Sequence, residues 1–351
     1  MNTDSHADSP LHVVLGAGQV GPRLADLLLA RGHRVRIVRR GEAGADRPGL
    51  EWARADLTDA AAAARAAAGA AVIYDCTNPA GYGTWDETLP PLKRGIREAA
   101  ARTGALLVSL DNLYMLGAPA DGAPLREDTP MRPASKKGEL RARLATELME
   151  AHARGALRAT VGRASDFFGP GAGKMSLYGD DFVRRLARGW GAMVLGDPDL
   201  PRSYSYVPDV VAGLAALGAR PDLSEGKVFH LPVAWSPARW SATAPSTPSA
   251  PSRRASAGGT RAFVARFAEI LGVAPRTWRM PGWAFRVLGL VSRDVGAVHE
   301  MLYQWEMPFV VDDRRFVETF GLGATSVEQA VRETVRAAGF LPSALVAAQA
   351  A

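Results

Sequence analysis

Leu11-His12-Val13-Val14-Leu15-Gly16-Ala17-Gly18-Gln19-Val20-Gly21 is the stretch that decides the fold. An apolar strand-like run meets three glycines spaced Gly-x-Gly-x-x-Gly. A helical pattern follows from Val20 to Arg31, stopped by Gly32, and Arg34–Val38 reads as a second strand. The glycines therefore sit inside a complete strand–helix–strand unit, the only setting in which their spacing is informative. Gly16 permits the tight turn, Gly18 lets backbone approach a pyrophosphate, and Gly21 lets helix pack on strand. Gln19 and Val20 lead into the helix N-terminus, where unpaired N–H groups and the dipole favour phosphate. The pattern predicts a dinucleotide cradle; a tight turn without ligand is the plainer alternative.

The end of the second strand separates the two nicotinamide dinucleotides. An acidic residue there would bond the ribose hydroxyls of NAD, but this chain has Val38-Arg39-Arg40. Guanidinium groups grip a 2′-phosphate in bidentate fashion, so NADP(H) is expected over NAD(H), with Arg39 the main contact and Arg40 beside it. Two solvated arginines, with Glu42 turned back to the ribose, are the alternative.

Working outward, β-branched runs alternate with helical patterns, as in a parallel sheet built of βαβ units. Further strands are expected at Glu51–Ala55, Ala71–Asp75, Ala105–Leu110 and Leu157–Gly162, and helices at Asp59–Ala68, Leu92–Arg102 and Gly138–Ala153. The fold class expected is α/β, a Rossmann-like doubly wound parallel sheet with a smaller, mostly helical C-terminal substrate-covering domain. Residues 11–165 would form the cofactor domain. Residues 166–351 would be mainly substrate domain, interleaved with the last strands. Its helical periods are Arg261–Leu271, Trp283–Val291, Gly296–Trp305 and Val327–Ala338. Residues 1–10 are expected to be disordered. The Ser/Pro/Ala-rich stretch at 236–260 is expected to be a mobile loop, because it offers little apolar surface to offset its ordering entropy.

With 351 residues, 47% of them hydrophobic, the chain can bury a full core. Cys76 is the sole cysteine, which rules out an internal disulfide and suits a cytoplasmic location. No apolar run is long enough to span a bilayer, and the N-terminus lacks a signal-peptide pattern, so no membrane partner is expected. The net charge of +6 comes mostly from arginines scattered along the chain, many opposite acids. No basic block interleaved with aromatics appears, so nucleic acid is not expected as a partner. Neither a Cys/His cluster with ligand spacing nor a Gly-x-Ser-x-Gly elbow is present, so no metal and no serine nucleophile are expected.

Several landmarks in this order resemble the short-chain dehydrogenase/reductase superfamily, in its extended and atypical branch of NAD(P)-dependent epimerase/dehydratase-like proteins. Beyond the Gly16–Gly21 turn they are Ala55-Asp56-Leu57, Asp75-Cys76-Thr77-Asn78-Pro79, Ser109 to Gly117, Arg163-Ala164-Ser165-Asp166-Phe167-Phe168-Gly169-Pro170-Gly171, and Tyr204-Ser205-Tyr206-Val207-Pro208-Asp209. The resemblance implies that Asp56 and Leu57 meet the adenine and that Thr77 and Asn78 meet the cofactor ribose. It also places Ser165 at the cofactor and implies a homodimer through Leu92–Arg102 and Gly138–Ala153.

The family's proton relay reads Pro, three residues, Tyr, Gly, two residues, Lys. Laid on Pro133 and Gly138, the Tyr position holds Lys137 and the Lys position holds Arg141. Counting back from Tyr114, the Ser/Thr position holds Leu110. All three members are replaced. The proton that accompanies hydride transfer needs another source. Asp111 and Asn112 fall where sugar-nucleotide 4,6-dehydratases of the superfamily keep an Asp-Glu pair, so Asp111 is a candidate acid/base; an Asp that merely caps the turn is the alternative. Tyr114 and Lys137 are further proton-donor candidates, Tyr82, Tyr178, Tyr204 and Tyr206 weaker ones, and Arg141 could hold ribose or an anion. Tyr206-Val207-Pro208-Asp209 reads as a domain-closing turn. Met301, Leu302 and Trp305 read equally as pocket lining or core.

Three functions follow: an NADP(H)-dependent oxidoreductase or epimerase-like enzyme on a small carbonyl or hydroxyl compound; a non-redox isomerase, cyclase or lyase; or a non-catalytic NADP(H) sensor. The glycine turn fits all three.

Overall fold

The computed structural model describes residues 9–79, 81–119, 122–173, 176–237 and 258–341. Seven parallel strands form the sheet: β1 Leu11–Leu15, β2 Arg34–Arg39, β3 Leu50–Arg54, β4 Ala70–Asp75, β5 Leu106–Asp111, β6 Arg158–Arg163 and, from the C-terminal half, Val228–His230. The connecting helices are α1 Gly21–Ala30, α2 Ala60–Ala66, α3 Trp85–Thr103 and α4 Lys136–Ala153. From the Val228–His230 edge the order is β6, β5, β4, β1, β2, β3. The order reverses between β1 and β4, which opens a crevice at their C-terminal ends.

Alternation along each strand builds two cores. Val14, Val35, Ile37, Tyr74 and Val108 face α1, while Val13, Leu15, Ile73 and Leu107 face α2, α3 and α4. Leu24 and Leu28, one turn apart on α1, are fully buried, and each such side chain contributes about 1.5–3 kcal/mol. Local chemistry sets the helix starts. Pro22 occupies the first turn of α1, where its missing N–H costs nothing. The Asp59 carboxylate accepts from Ala61 and Ala62 N at the head of α2, and Ser135 Oγ accepts from Gly138 N at the head of α4.

Strand limits shift by one residue or less from the sequence reading at β1 to β6. The third helix begins seven residues earlier than expected, at Trp85, and carries Pro90 and Pro91 in its N-terminal half. Tyr206-Val207-Pro208-Asp209 is not a turn. After the short strands β7 Phe167–Phe168, β8 Ala192–Val194 and β9 Ser205–Tyr206, with α5 Asp180–Ala187 between the first two, it starts the buried helix α6 Val207–Ala219. Pro208 fits there because a first-turn proline sacrifices no hydrogen bond.

Beyond α6 come α7 Pro221–Ser224 and the edge strand Val228–His230, which is β10. Then follow α8 Thr260–Leu271, β11 Thr277–Arg279, α9 Gly282–Gly289, α10 Arg293–Met301, α11 Arg314–Phe320 and α12 Val327–Ala337. Helices α5, α8 and α12 close around an aromatic core of Phe168, Tyr178, Phe182, Tyr204, Trp235, Phe263 and Phe267. The expected mobile loop and the expected disordered N-terminus lie almost wholly outside the described residues. No described helix is long and apolar enough to cross a membrane.

Candidate functional site

The three glycines have three different environments. Gly16 has φ +99°, its N–H donates to Val38 O at 2.9 Å, and a Cβ there would stand 3.0 Å from Cys76 O. A methyl at Gly21 would overlap the carbonyl oxygen of Gly16, so helix and turn touch through bare backbone. Gly18 is exposed, and a Cβ on it would meet nothing within 4 Å. One glycine makes the turn, one the close packing, and one keeps an open approach to the helix N-terminus. Beside it, Gln19 Nε2 is buried without a partner, and Arg23 donates to Gln19 O at 3.2 Å. The Val20 side chain belongs to the core, so only its backbone faces the crevice. An open cradle edged by an unpaired donor fits a dinucleotide pyrophosphate.

Around the cradle, Arg39 and Arg40 are both exposed at the end of β2. Asp56 is exposed as well. The Thr58 amide at 3.0 Å and hydroxyl at 2.8 Å, with Arg40 nearby, hold its carboxyl below the usual range. Leu57 is buried against α3, where its carbonyl leaves no room for a side chain at Gly95; of the expected adenine pair, only Asp56 presents its side chain. Ser165 is also turned inward: its hydroxyl donates to Ser203 O at 2.7 Å and its amide to Ser205 Oγ at 3.0 Å. The Thr77 hydroxyl donates to Asp75 at 2.6 Å, closing the turn after β4.

The replaced relay positions form a different constellation. Arg141 is 5% exposed. Its Nη1 donates to Asp111 Oδ1 at 3.0 Å and its Nη2 to Asn78 Oδ1 at 2.6 Å. Its guanidinium lies 4.5 Å over the Trp85 ring, which favours a charged plane. Asp111 also accepts from Asn112 N at 2.8 Å, and Asn112 Oδ1 accepts from Tyr114 N at 3.1 Å. Asn112 thus caps the turn and leaves Asp111 as the carboxylate of the site. Asp111 accepts the amide of the following residue, and the same oxygen faces a guanidinium at the sheet's open end.

Tyr114 and Tyr82 share a hydrogen bond of 2.9 Å between hydroxyls, and Tyr82 stacks on Trp85 at 4.8 Å. Burial pushes Tyr114 well above an ordinary phenol and raises Tyr82 too. Both are uncharged donors at neutral pH. Lys137 has an acidic partner of its own. Its amide and its Nζ bind Glu300 of α10 at 2.9 and 3.1 Å, so it ties α4 to the C-terminal region. Met301, Leu302 and Trp305 are buried with Trp85, Tyr114, Leu140 and Phe285, and their segment is the end of α10 followed by a 3-10 turn at Leu302–Trp305.

Sequence reasoning missed a second ion pair. Lys93 Nζ lies 2.5 Å from Asp75 Oδ2, both side chains at most 10% exposed, and Ser109 Oγ reaches the same oxygen at 3.4 Å. A cavity of about 30 Å³ lined by Asp75, Lys93, Ser109, Asp111 and Arg141 joins the two pairs. The signal was present: Leu89, Lys93, Ile96 and Ala100 share one helical stripe, so Lys93 is a charge on an apolar face. A third pair joins Asp166 Oδ2 to Arg202 Nη2 at 2.5 Å, and Arg202 also stacks 4.3 Å from Trp305.

Residues 12–231 match the NAD dependent epimerase/dehydratase family. No curated protein matches the sequence. The structure is similar to UDP-glucose 4-epimerase from Thermotoga maritima, with a TM-score of 0.70 at 18% identity, over 93% of this chain and 98% of that one. It is similar to dTDP-glucose 4,6-dehydratase from Bacillus anthracis in complex with NAD, with a TM-score of 0.70 at 13% identity over 94% and 96% of the two chains. The Bordetella bronchiseptica enzyme WbmH in complex with NAD+ aligns with a TM-score of 0.67 at 16% identity over 94% and 98%. These likenesses establish the fold, and the family match covers well over half of the sequence. The chain therefore belongs to the NAD dependent epimerase/dehydratase family of the extended short-chain dehydrogenase/reductases.

Proposed function

We propose that this protein is an NADP(H)-dependent oxidoreductase or epimerase-like enzyme acting on a small carbonyl or hydroxyl compound, with Asp111 as its acid/base. The observation that carries the reading is the Asp111–Arg141 pair at the open end of β5, where strand ends meet the crevice. Gly16, Gly18, Gly21 and the amides of Gln19 and Val20 would hold the pyrophosphate. Arg39 would grip the 2′-phosphate with Arg40 beside it, and Asp56, Thr77 and Asn78 would border the adenosine and ribose. When bound, the nicotinamide supplies the hydride acceptor or donor.

The chain's own residues then move the proton. The Asp111 carboxylate takes it from a substrate hydroxyl as the carbonyl forms, or returns it in the reverse direction. Arg141, gripped by Asn78 and Trp85, positions that carboxylate. Of the two hydroxyl protons in the Tyr82–Tyr114 pair one is spent between them, which leaves the other to donate to a substrate oxygen. Arg141, Lys137 and Arg202 each face a carboxylate. That favours a neutral substrate over the UDP- and dTDP-linked substrates named for the similar structures. The NAD bound in two of those structures belongs to them; the arginines at the end of β2 support NADP(H) here.

Titration with NADPH and NADH, followed by fluorescence, tests the reading. NADPH should bind at least tenfold tighter, about 1.4 kcal/mol, and Arg39→Ala should erase the difference; equal affinities in the parent protein would remove the arginine assignment. A non-redox isomerase or lyase is the second reading, favoured by the replacement of Tyr and Lys with Lys137 and Arg141. It would show product formation without any net or transient change in cofactor absorbance.

A further inference from the structure

We propose that the face built from α9, β11, β8 and the end of α5 docks this protein onto an anionic lipid surface. Most of the large apolar side chains exposed among the described residues gather here. Val291 is 86% exposed, Leu290 85%, Trp283 68%, Trp190 62% and Val287 56%, with Leu288 and Trp278 beside them. Strand pairing and chain adjacency connect these segments. Parallel pairing sets Ala192 opposite Thr277 and Met193 opposite Trp278, which draws Trp190 and Trp278 to the same edge. Helix α9 follows β11 directly and buries only Phe285. A patch of this kind on a soluble protein marks an interaction site.

Charge identifies the occupant. Between Arg276 and Arg293 the sequence holds four arginines and no acidic residue. Arg185 near the end of α5 and Arg188 at its C-cap place guanidiniums 5.9 Å over Trp278 and 5.4 Å over Trp190. Two arginines distant in sequence from β11 and α9 are thus stacked on the exposed indoles of Trp278 and Trp190. Indole rings suit the headgroup level, aliphatic tips suit the acyl boundary below it, and guanidiniums attract anionic headgroups. Leu290 and Val291 lie just past the last residue of α9, and such exposed aliphatic tips suit an acyl boundary. The expectation of no membrane partner rested on the lack of a spanning segment, and surface docking needs none.

The face also adjoins the candidate site. Phe285 packs into the cluster with Trp85 and Tyr114. Asp294 at the start of α10 accepts from Gly83 N at 2.7 Å, on the 3-10 turn that carries Tyr82. Docking would set that side of the crevice against the bilayer.

The test is sedimentation of the purified full chain with vesicles of phosphatidylcholine alone and of phosphatidylcholine mixed with phosphatidylglycerol. Partition onto the anionic vesicles should be roughly tenfold stronger or more. It should come with a blue shift of tryptophan emission and weaken at high salt. The variant Trp283→Ser/Leu290→Ser/Val291→Ser should lose at least tenfold in partition with circular dichroism and thermal unfolding unchanged. Arg279→Ser/Arg286→Ser should lose the preference for anionic lipid. Any of three results overturns the proposal: no binding of the parent chain to either vesicle, unaltered binding by the triple serine variant, or a parent dimer without vesicle binding that the triple variant dissociates. The last would assign the face to a second copy.

Discussion

Arg141 Nη1 donates to Asp111 Oδ1 across 3.0 Å, linking the middle of β5's open end to the first turns of α4. The two residues stand where the family's relay would put the neighbour of its hydroxyl residue and its lysine. Lys137 holds the phenol's place in that motif and Arg141 the ammonium's, with Asp111 as the guanidinium's partner. Asp111→Asn keeps the shape and removes the base. It should lower kcat at least 100-fold, within the usual range for general acid–base groups, while NADPH affinity stays within about threefold. A variant retaining near-parent kcat would remove Asp111 from the mechanism.

The cradle glycines should separate folding from binding. Gly21→Ala pushes a methyl into Gly16 O and should destabilise the protein by about 1–3 kcal/mol, as overpacking does. Gly18→Ala meets no protein atom, so its unfolding midpoint should match the parent while NADPH binding weakens. If Gly18→Ala binds NADPH normally, the pyrophosphate does not lie where we place it.

Removing Lys93 alone should leave Asp75 buried and uncompensated. Lys93→Met is expected to cost about 3–5 kcal/mol in urea unfolding, and Asp75→Asn/Lys93→Met to recover much of it. Equal losses in the single and double variants would show that the pair contributes through packing only.

Stability should fall on mild acidification through His12. Burial is the main cause that lowers this imidazole from 6.5 to about 4, with His33 beside it and Tyr74 OH 3.2 Å from Nδ1. The folded group is neutral between pH 6.5 and 4 while the unfolded one gains a proton. The stability is therefore fully present above pH 6.5 and is lost as pH falls toward 4, on the order of 3 kcal/mol in all. Urea midpoints taken across that window should drop for the parent and drop less for His12→Asn. Burial likewise lowers His230, to about 3, so a residual slope should persist in the variant.

Much of this fold was legible one element at a time. Strand limits at β1 to β6 and the glycine spacing depend on neighbours within a few residues, and period-two and period-3.6 patterns report those directly. Pro90 and Pro91 precede the expected helix start at Leu92, yet they lie inside α3, whose N-terminal half packs Trp85 and Leu89 into the site. Lys137 looked like a proton donor from its register alone, and its partner Glu300 lies 163 residues away. The hydroxyl bond between Tyr82 and Tyr114 spans 32 residues, beyond the reach of any local pattern.

By itself, the sequence determined a parallel α/β sheet, an open glycine turn ahead of a helix, two arginines after the second strand, and the loss of the family's relay residues. Each of these is written in short-range spacing. Only the tertiary structure decided that Arg141 holds Asp111, that Lys93 neutralises Asp75, that Lys137 pairs with Glu300, and that Arg185 and Arg188 lie over Trp278 and Trp190. A charge's partner is set by which helices pack against which strand ends, and that geometry comes from burying the whole apolar core at once.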